Sequence, residues 1–179
     1  MNQTVTREAL GKQIVERATL HGEFTLRSGA VSNIYFDKYL FEADPIMLRA
    51  IADGLQPLIP SGSEALAGLE MGGIPVATML SQRSGLPTLF VRKKAKEYGT
   101  CKLAEGGQVS GRSLVIVEDV VTSGGQILLS AKALRELGAE ISVVLCVIDR
   151  EAGGTESLAG EGLELRPLYR RSELEAMQE

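Results

Sequence analysis

Short apolar runs alternate with helical patterns along most of the chain. Four runs rich in aliphatic and β-branched residues predict buried strands near residues 65–69, 88–91, 113–117 and 141–148. Between them, apolar residues at helical spacing predict helices over about 74–83 and 125–137. Strands and helices in this order predict a doubly wound α/β fold built on a mostly parallel sheet.

The two ends of this pattern carry different signals. A helix is predicted over about 7–20, and the polar–apolar alternation of residues 24–38 predicts an antiparallel hairpin. Asp44 as N-cap and Pro45 at the first helical position predict a further helix toward residue 58. Gly138 fits the C-terminal end of the helix over 125–137, and residues 163–169 are expected to add a late strand.

Composition narrows the classes of function. With 179 residues, of which 44% are hydrophobic, the chain suits one domain. A net charge of −4 and 4% aromatic residues argue against a nucleic-acid-binding surface. There is no apolar run near the roughly 20 residues of a membrane span and no signal-peptide pattern, so we expect a cytoplasmic protein with no membrane or nucleic-acid partner. Cys101 and Cys146 lack metal-site spacing and are expected to remain thiols.

The segment 113–126 carries the strongest chemical signal. Its apolar strand runs into Glu118 and Asp119, and a small, hydroxyl-rich turn over 122–125 then opens a helix. The free N–H groups at a helix N-terminus attract phosphate, and the two acids, which would repel phosphate, can accept hydrogen bonds from sugar hydroxyls. The segment therefore predicts a ribose-phosphate site. The alternative is a strand that ends in solvated acids, followed by an ordinary helix-capping turn.

Polar residues end all four predicted strands of the sheet. Since the carboxyl ends of parallel strands share one crevice, these residues are expected to converge on one ligand site. They are Glu70, Arg92 with Lys93, Glu118 with Asp119, and Asp149 with Arg150. The alternative is that strand ends are polar in any protein.

A basic segment follows the second strand of the sheet. Four of the five residues 92–96 are lysine or arginine. On a closing loop, such cations could neutralise a departing diphosphate and exclude water from the activated sugar. The alternative is a solvated, charged surface.

The run VIVEDVVTSGG at 115–125 resembles the phosphoribosyl-diphosphate signature of the type I phosphoribosyltransferases. The resemblance implies their fold, a doubly wound sheet with a small hood made from about 20–40 and 160–179 within a single domain, 1–179. It also implies that Glu118 and Asp119 bind the ribose hydroxyls. The implied 5′-phosphate loop consists of Val120, Val121, Thr122, Ser123, Gly124, Gly125 and Gln126.

Four further segments resemble the orotate phosphoribosyltransferase family. They are R-K-x-x-K-x-x-G at 92–99, F-T-L-R-S-G at 24–29 with the rings that follow it, the Gly-Gly-Ile-Pro of the family's pyrophosphate loop at 72–75, and the Asp-Arg of its base-binding strand end at 149–150. The implied catalytic contacts to diphosphate come from Arg92, Lys93 and above all Lys96. Gly72, Gly73 and Tyr98 are implied to contact the same donor. The implied orotate site consists of Arg27, Tyr35, Phe36, Thr122 and Arg150.

The base assignment has a physical argument beside the resemblance. Orotate carries a carboxylate, and the guanidinium fork of Arg150 suits a planar carboxylate. An ion pair with a neighbouring acid is the alternative for Arg150, and core packing is the alternative for Tyr35 and Phe36, where strand alternation would turn one ring inward.

The chain also departs from the family pattern. Where many members have a Tyr-Lys pair before Gly-Ile-Pro, this chain has Met71-Gly72, so a lysine contact to pyrophosphate is missing there. Tyr98 stands where histidine is common, and a phenol is poorly suited to moving protons at neutral pH. Glu118 stands where aspartate is frequent.

The resemblance implies a definite reaction. Phosphoribosyl would pass from 5-phospho-α-D-ribose 1-diphosphate to orotate, giving orotidine 5′-phosphate and diphosphate in pyrimidine biosynthesis. Mg²⁺, held mainly by substrate and water, and a homodimer whose loop crosses to the neighbouring site are implied as well. Two alternatives remain open: transfer to a purine base, and a regulator that binds the donor without turnover.

Overall fold

The computed structural model describes residues 5–25, 29–95 and 102–178. Eight strands lie in these ranges: β1 (Thr19–Thr25), β2 (Val31–Phe36), β3 (Ala65–Leu69), β4 (Thr88–Val91), β5 (Ala104–Glu105), β6 (Ser113–Val121), β7 (Glu140–Asp149) and β8 (Glu164–Arg170). The helices are α1 (Arg7–Ala18), α2 (Tyr39–Glu42), α3 (Pro45–Leu55), α4 (Gly73–Ser84), α5 (Gly125–Glu136), α6 (Gly154–Gly160) and α7 (Arg171–Ala176).

Six strands form one sheet in the order β5-β4-β3-β6-β7-β8. Its five longer strands run parallel, and the two-residue strand β5 pairs antiparallel with β4. Strands β1 and β2 form a separate antiparallel hairpin. The predicted fold class is confirmed, and the four strands that end in polar residues are neighbours in the sheet.

Alternate side chains of each central strand feed two different cores. In β6, Val115 and Val117 face the layer of α1, α3 and α4, whereas Leu114 and Ile116 face the layer of α5 and α6. A strand covered by helices on both faces must be apolar at successive positions. This is why the strands appear in the sequence as continuous apolar runs.

Local chemistry sets several element boundaries as predicted. Asp44 caps α3, since its carboxylate accepts the N–H groups of Ile46 and Met47. Gly138 follows α5 with φ +88°, a backbone conformation that favours glycine. None of the helices in the described ranges combines the length and apolar character that crossing a membrane requires.

Three boundaries differ from the sequence prediction. Strand β1 begins at Thr19, so Leu20 lies in the hairpin and not in α1. Strand β6 continues to Val121, so the acid pair lies inside the strand. Strand β8 belongs to the main sheet, so within the predicted C-terminal hood segment only α7 follows the sheet.

Candidate active site

The turn between β6 and α5 presents a helix N-terminus at the carboxyl edge of the sheet. Thr122 and Ser123 are exposed there, and Gly124 occupies the N-cap position with φ +76° and no side-chain cap bond. The first N–H groups of this 12-residue helix therefore remain available to an anion. Gly125, the first helical residue, is also exposed, and Gln126 donates to Ser130 Oγ at 3.4 Å.

Val120 and Val121 stand in the sheet rather than in the turn. The side chain of Val121 is buried in the core on the α5 side, and Val120 packs against the opposite core. The Val121 carbonyl accepts the N–H of Arg150 at 2.8 Å, which fixes the end of β7 beside the turn. Both valines were predicted to bind the donor. Because their side chains pack in the cores, only their backbone groups remain available to a ligand.

Asp119 is the centre of a buried charged group, which we call the acid cluster: Lys38, Glu42, Glu118 and Asp119. Asp119 is 1% exposed and pairs with Lys38, whose Nζ lies 2.5 Å from its Oδ2. Its N–H donates to Glu118 Oε1 at 3.0 Å. Glu42 is 5% exposed, and its Oε1 is buried beside Asp119.

The four groups shift one another's pKa. Burial first, and then the hydrogen bond and negative charge of Asp119, raise the pKa of Glu42 to about 9, and the same causes raise that of Glu118 to about 9. Burial alone would raise the pKa of Asp119, but hydrogen bonds with Glu118, Lys38 and Glu42 lower it. At neutral pH the cluster therefore contains one carboxylate paired with one ammonium, and two protonated carboxyl groups.

The Gly72 loop (residues 70–73), which joins β3 to the first residue of α4, packs directly on this cluster. A Cβ at Gly72 would stand 1.5 Å from Asp119 Oδ2 and 2.9 Å from Glu42 Oε1. A Cβ at Gly73 would stand 2.3 Å from the Val117 carbonyl oxygen. Real Cβ atoms do not approach so closely, so both glycines permit the close approach of this loop to β6.

Only some of the basic residues predicted for the site lie within the described residues. The N–H of Arg92 donates to the Leu103 carbonyl, and its Nε is buried with no hydrogen-bond partner among the described residues. The N–H of Lys93 donates to Glu70 Oε1, which links the ends of β3 and β4. An unpartnered guanidinium donor at this edge favours an anionic ligand. Arg27, Lys96 and Tyr98 lie outside the described residues.

The two predicted aromatic residues point in different directions, as strand alternation predicts. Phe36 packs against Phe41, with ring centroids 6.3 Å apart, and against the core. Tyr35 is exposed and contacts Phe24 at 5.5 Å. Core packing, the alternative considered for these rings, applies to Phe36.

Arg150 lies beside Phe36 at a small pocket. The pocket has a volume of about 180 Å³, and its walls include Phe36, Ile148, Arg150 and Leu174. Among the ion pairs within 5–25, 29–95 and 102–178, none involves Arg150. The alternative of an ion pair for Arg150 is thus not observed there. The guanidinium remains available to a carboxylate.

Lys38 and Glu42 are site residues that the sequence analysis missed. Both follow the hairpin closely along the chain, and the one-turn helix α2 carries Glu42. A helix of four residues has no apolar period to detect, and the contacts to Asp119 join residues that are far apart in the sequence. The only signal was a lysine directly after the hairpin.

A larger cavity lies elsewhere. It measures about 750 Å³ and lies between residues 102–110 and the C-terminal part of α5. None of the predicted site residues that the structure describes lines it. The candidate site is therefore taken as the acid cluster and the N-terminus of α5, which strand β6 joins.

Known proteins share this architecture. The family model described as a phosphoribosyl transferase domain matches residues 41–161. An orotate phosphoribosyltransferase of Nocardioides sp. is 54% identical over 160 residues, which cover 89% of each chain. That of Methanocella arvoryzae is 47% identical over 157 residues, covering 88% of this chain and 90% of the relative. The crystal structure of Mycobacterium tuberculosis orotate phosphoribosyltransferase with 5-phospho-α-D-ribosyl 1-diphosphate is similar with a TM-score of 0.82 and 27% identity, covering 94% of this chain and 98% of the other.

Proposed function

The chain belongs to the orotate phosphoribosyltransferase family, and we propose that phosphoribosyl transfer takes place where the acid cluster meets the N-terminus of α5. Enzymes of this family move the phosphoribosyl group of 5-phospho-α-D-ribose 1-diphosphate to orotate, which yields orotidine 5′-phosphate and diphosphate in pyrimidine biosynthesis. The chain is thus a pentosyltransferase. The observation that supports this placement is the run of β6 from its two acids directly into an uncapped helix N-terminus.

Hydrogen-bond donors and carboxyl groups bind different parts of the phosphoribosyl donor at the junction of β6 and α5. The 5′-phosphate accepts hydrogen bonds from the Thr122 and Ser123 hydroxyls and from the first N–H groups of α5. The ribose 2′ and 3′ hydroxyls contact Glu118 and Asp119. A protonated Glu118 can also donate a hydrogen bond, so it suits a hydroxyl group in either direction.

The leaving diphosphate lies between the Gly72 loop and the basic segment. As the bond from ribose C1 to diphosphate breaks, negative charge accumulates on the leaving group and positive charge on the ribose carbon. Arg92, Lys93 and Lys96 stabilise the first of these charges, and Tyr98 donates a further hydrogen bond. The base nitrogen attacks C1 and loses its proton, which the departing diphosphate can accept, so no protein nucleophile is needed.

Orotate is bound on the side of Arg150. Its carboxylate pairs with the guanidinium of Arg150, with Arg27 as a second cation and Thr122 as a hydroxyl partner. Tyr35, exposed on the hairpin, covers the base, whereas Phe36 shapes the wall behind it. A carboxylate ligand explains why Arg150 stands beside a pocket without an acid partner in the described ranges.

Mg²⁺ suits the oxygen-rich environment of this site. The carboxyl oxygens of Glu118 and Asp119 border the ribose, and oxygen is the ligand that Mg²⁺ prefers. The described residues contain no group of three or more side chains that would hold a metal by themselves. Mg²⁺ would be held mainly by the donor and by water, with the carboxyl groups of Glu118 and Asp119 nearby, and it would neutralise charge on the leaving group.

The functional unit of the proposal is a cytoplasmic homodimer. In it, the loop that carries Lys96 closes over the site of the neighbouring subunit. This arrangement is taken from the resemblance to the family. It predicts that sedimentation gives a particle of twice 19.2 kDa at working concentrations; a monomer would contradict it.

The direct test follows orotate consumption by ultraviolet absorbance, with phosphoribosyl diphosphate and Mg²⁺. Adenine, hypoxanthine and uracil serve as alternative acceptors, with products separated by chromatography. We expect turnover that is selective for orotate and requires Mg²⁺. Turnover of a purine would identify a purine base as the acceptor instead of orotate. Donor binding without turnover would indicate a regulator.

Replacement of Lys96 tests the catalytic cation. Lys96→Ala should lower turnover by about 10² to 10³, the usual effect of removing one transition-state charge, and leave the fold intact. Lys132→Ala, which removes an exposed lysine of α5, is the matched control and should retain wild-type turnover. An unchanged rate in Lys96→Ala would remove this lysine from the mechanism.

A further inference from the structure

We propose that Lys38 is a donor-binding residue whose ammonium contacts the diphosphate at the Gly72 loop. The inference rests on the proposed function, since it takes diphosphate as the ligand of that loop. It assigns to a residue after the hairpin a contact that the loop itself does not provide. Three observations support it: where the ammonium lies, what the loop lacks, and which donors of the ammonium remain free.

The ammonium of Lys38 lies close to the point where a side chain of residue 72 would begin, a point that Asp119 Oδ2 occupies. A Cβ on Gly72 would stand 1.5 Å from Asp119 Oδ2, and Lys38 Nζ lies 2.5 Å from the same oxygen. The ammonium is therefore no farther than about 4 Å from that Cβ position. At such a distance it would interact strongly with a negatively charged ligand bound beside the loop. Lys38 thus lies near the Gly72 loop, although it belongs to a different segment of the chain.

The loop has no cation of its own. From the end of β3 to the first residue of α4 it contains Glu70, Met71, Gly72 and Gly73, so its one charged side chain is acidic. That acid is engaged by the N–H of Lys93. A longer residue at position 72 would collide with Asp119, so a lysine cannot be added there while Asp119 keeps its place. A diphosphate beside this loop needs a cation from elsewhere.

Lys38 has donors to spare and is held in position. An ammonium has three N–H groups, Asp119 is its only ion-pair partner within the described residues, and the side chain is 32% exposed. Burial lowers its pKa, but the hydrogen bond and charge of Asp119 raise the pKa above its usual value, so the group stays charged. The preceding residue anchors the backbone, because the Asp37 N–H donates to the Ala18 carbonyl and its carboxylate accepts the N–H of Tyr39.

The competing explanation is that Lys38 only neutralises Asp119. The two roles predict different ligand dependence. If Lys38 acts through Asp119, its loss should weaken every ligand that contains the ribose hydroxyls. If it contacts diphosphate, its loss should weaken ligands with diphosphate and largely spare ribose 5-phosphate.

The experiment uses titration calorimetry of the full chain with Mg²⁺, with inorganic diphosphate and ribose 5-phosphate as separate ligands. Lys38→Met removes the charge and keeps the length of the side chain. It should weaken diphosphate binding roughly 10- to 100-fold, as for loss of one charge-assisted hydrogen bond, and change ribose 5-phosphate affinity less than about threefold. Lys12→Met, which removes an exposed lysine of α1, should change neither. Equal loss for both ligands, or no loss of diphosphate affinity, would overturn the proposal.

A second measurement avoids any variant that fails to fold. Acetylation of wild-type lysines, followed by mass spectrometry, reports the accessibility of Lys38 directly. Diphosphate should protect Lys38, and ribose 5-phosphate should protect it much less; equal protection would contradict the inference. The orotate assay on the wild-type protein separates a failure of the proposed function from a failure of the inference about Lys38. No turnover refutes the proposed function, whereas turnover with unprotected Lys38 refutes the inference alone.

Discussion

Glu42 brings a third carboxyl group to Asp119 in a place where only 5% of the residue is exposed. A buried acid beside a carboxylate can avoid a second negative charge by keeping its proton. This is why the pKa of Glu42 and that of Glu118 are both raised to about 9. Lys38 supplies the only positive charge of the cluster, so its charge and that of Asp119 determine how many protons the site holds.

These raised pKa values predict how stability depends on pH. Below the unfolded pKa of 4.5 both carboxyl groups are protonated in either state. Above it the unfolded chain releases protons that the folded chain retains, so stability falls as pH rises toward about 9. In Glu42→Gln one of these groups is gone, and we expect its melting temperature to fall less between about pH 5 and pH 9 than that of the wild type.

Thermal unfolding across this pH range checks the prediction. Glu16→Gln, which neutralises an exposed acid of α1, is the matched control and should follow the wild-type curve. Parallel curves for Glu42→Gln and the wild type would show that Glu42 does not keep its proton in the folded state.

At the scale of elements, helix α4 is held against β6 by a contact that only glycine allows. The space for a Cβ at Gly73 is filled by the Val117 carbonyl at 2.3 Å. A backbone group cannot swing aside as a side chain can, so the helix or the strand has to shift. The start of α4, and with it the Gly72 loop, is set by this packing.

Gly73→Ala should therefore destabilise the protein by about 1 to 3 kcal/mol, the usual cost of overpacking. Urea unfolding gives the free energy. Gly160→Ala at the end of α6 is the control, because a Cβ there meets nothing within 4 Å. The control should be neutral or stabilising by up to about 1 kcal/mol, since alanine suits a helix better than glycine. A wild-type unfolding midpoint for Gly73→Ala would refute the packing argument.

The elements that could be predicted from the sequence are those whose residues repeat a local pattern. Strand β3 consists of four apolar residues and one glycine, all buried, and α3 carries both a cap and a helical period. Helix α2 has four residues and β5 has two, too few for any period. The site divides in the same way: Thr122 and Asp119 belong to one contiguous motif, whereas Lys38 meets Asp119 only through tertiary packing.

The predicted loop contacts from Lys96 and Tyr98 remain predictions, since these residues lie outside the described ranges. The same holds for Arg27. Their assignment depends on the resemblance to the family, together with the charge of the segment. By contrast, the position of Arg150 beside a pocket, with its N–H on the Val121 carbonyl, is a feature of the fold itself.

At the scale of the whole molecule, the proposed homodimer, in which the loop of one subunit serves the site of the other, predicts complementation. Lys96→Ala lacks the loop cation, and Asp119→Asn lacks a ribose-binding carboxylate, so each alone should be nearly inactive. A mixed dimer has one site with both groups intact. After subunit exchange in an equal mixture, we expect about a quarter of wild-type activity, because half of the dimers are mixed.

The assay is orotate turnover before and after exchange of the two purified variants. A mixture of Lys96→Ala with itself serves as the control for the exchange procedure. If each loop closed over its own subunit, no site would be complete and the mixture would stay inactive.

The close approach of Gly72 to Asp119 also constrains how such a site can change in evolution. A lysine at position 72 and the present arrangement of Lys38, Glu42 and Asp119 compete for the same space. Introducing a lysine at position 72 alone produces a collision with Asp119, and removing Lys38 alone leaves neither position 38 nor position 72 with a cation. Positions 38, 42 and 72 should therefore show strong epistasis, with combined substitutions tolerated where each one alone is not.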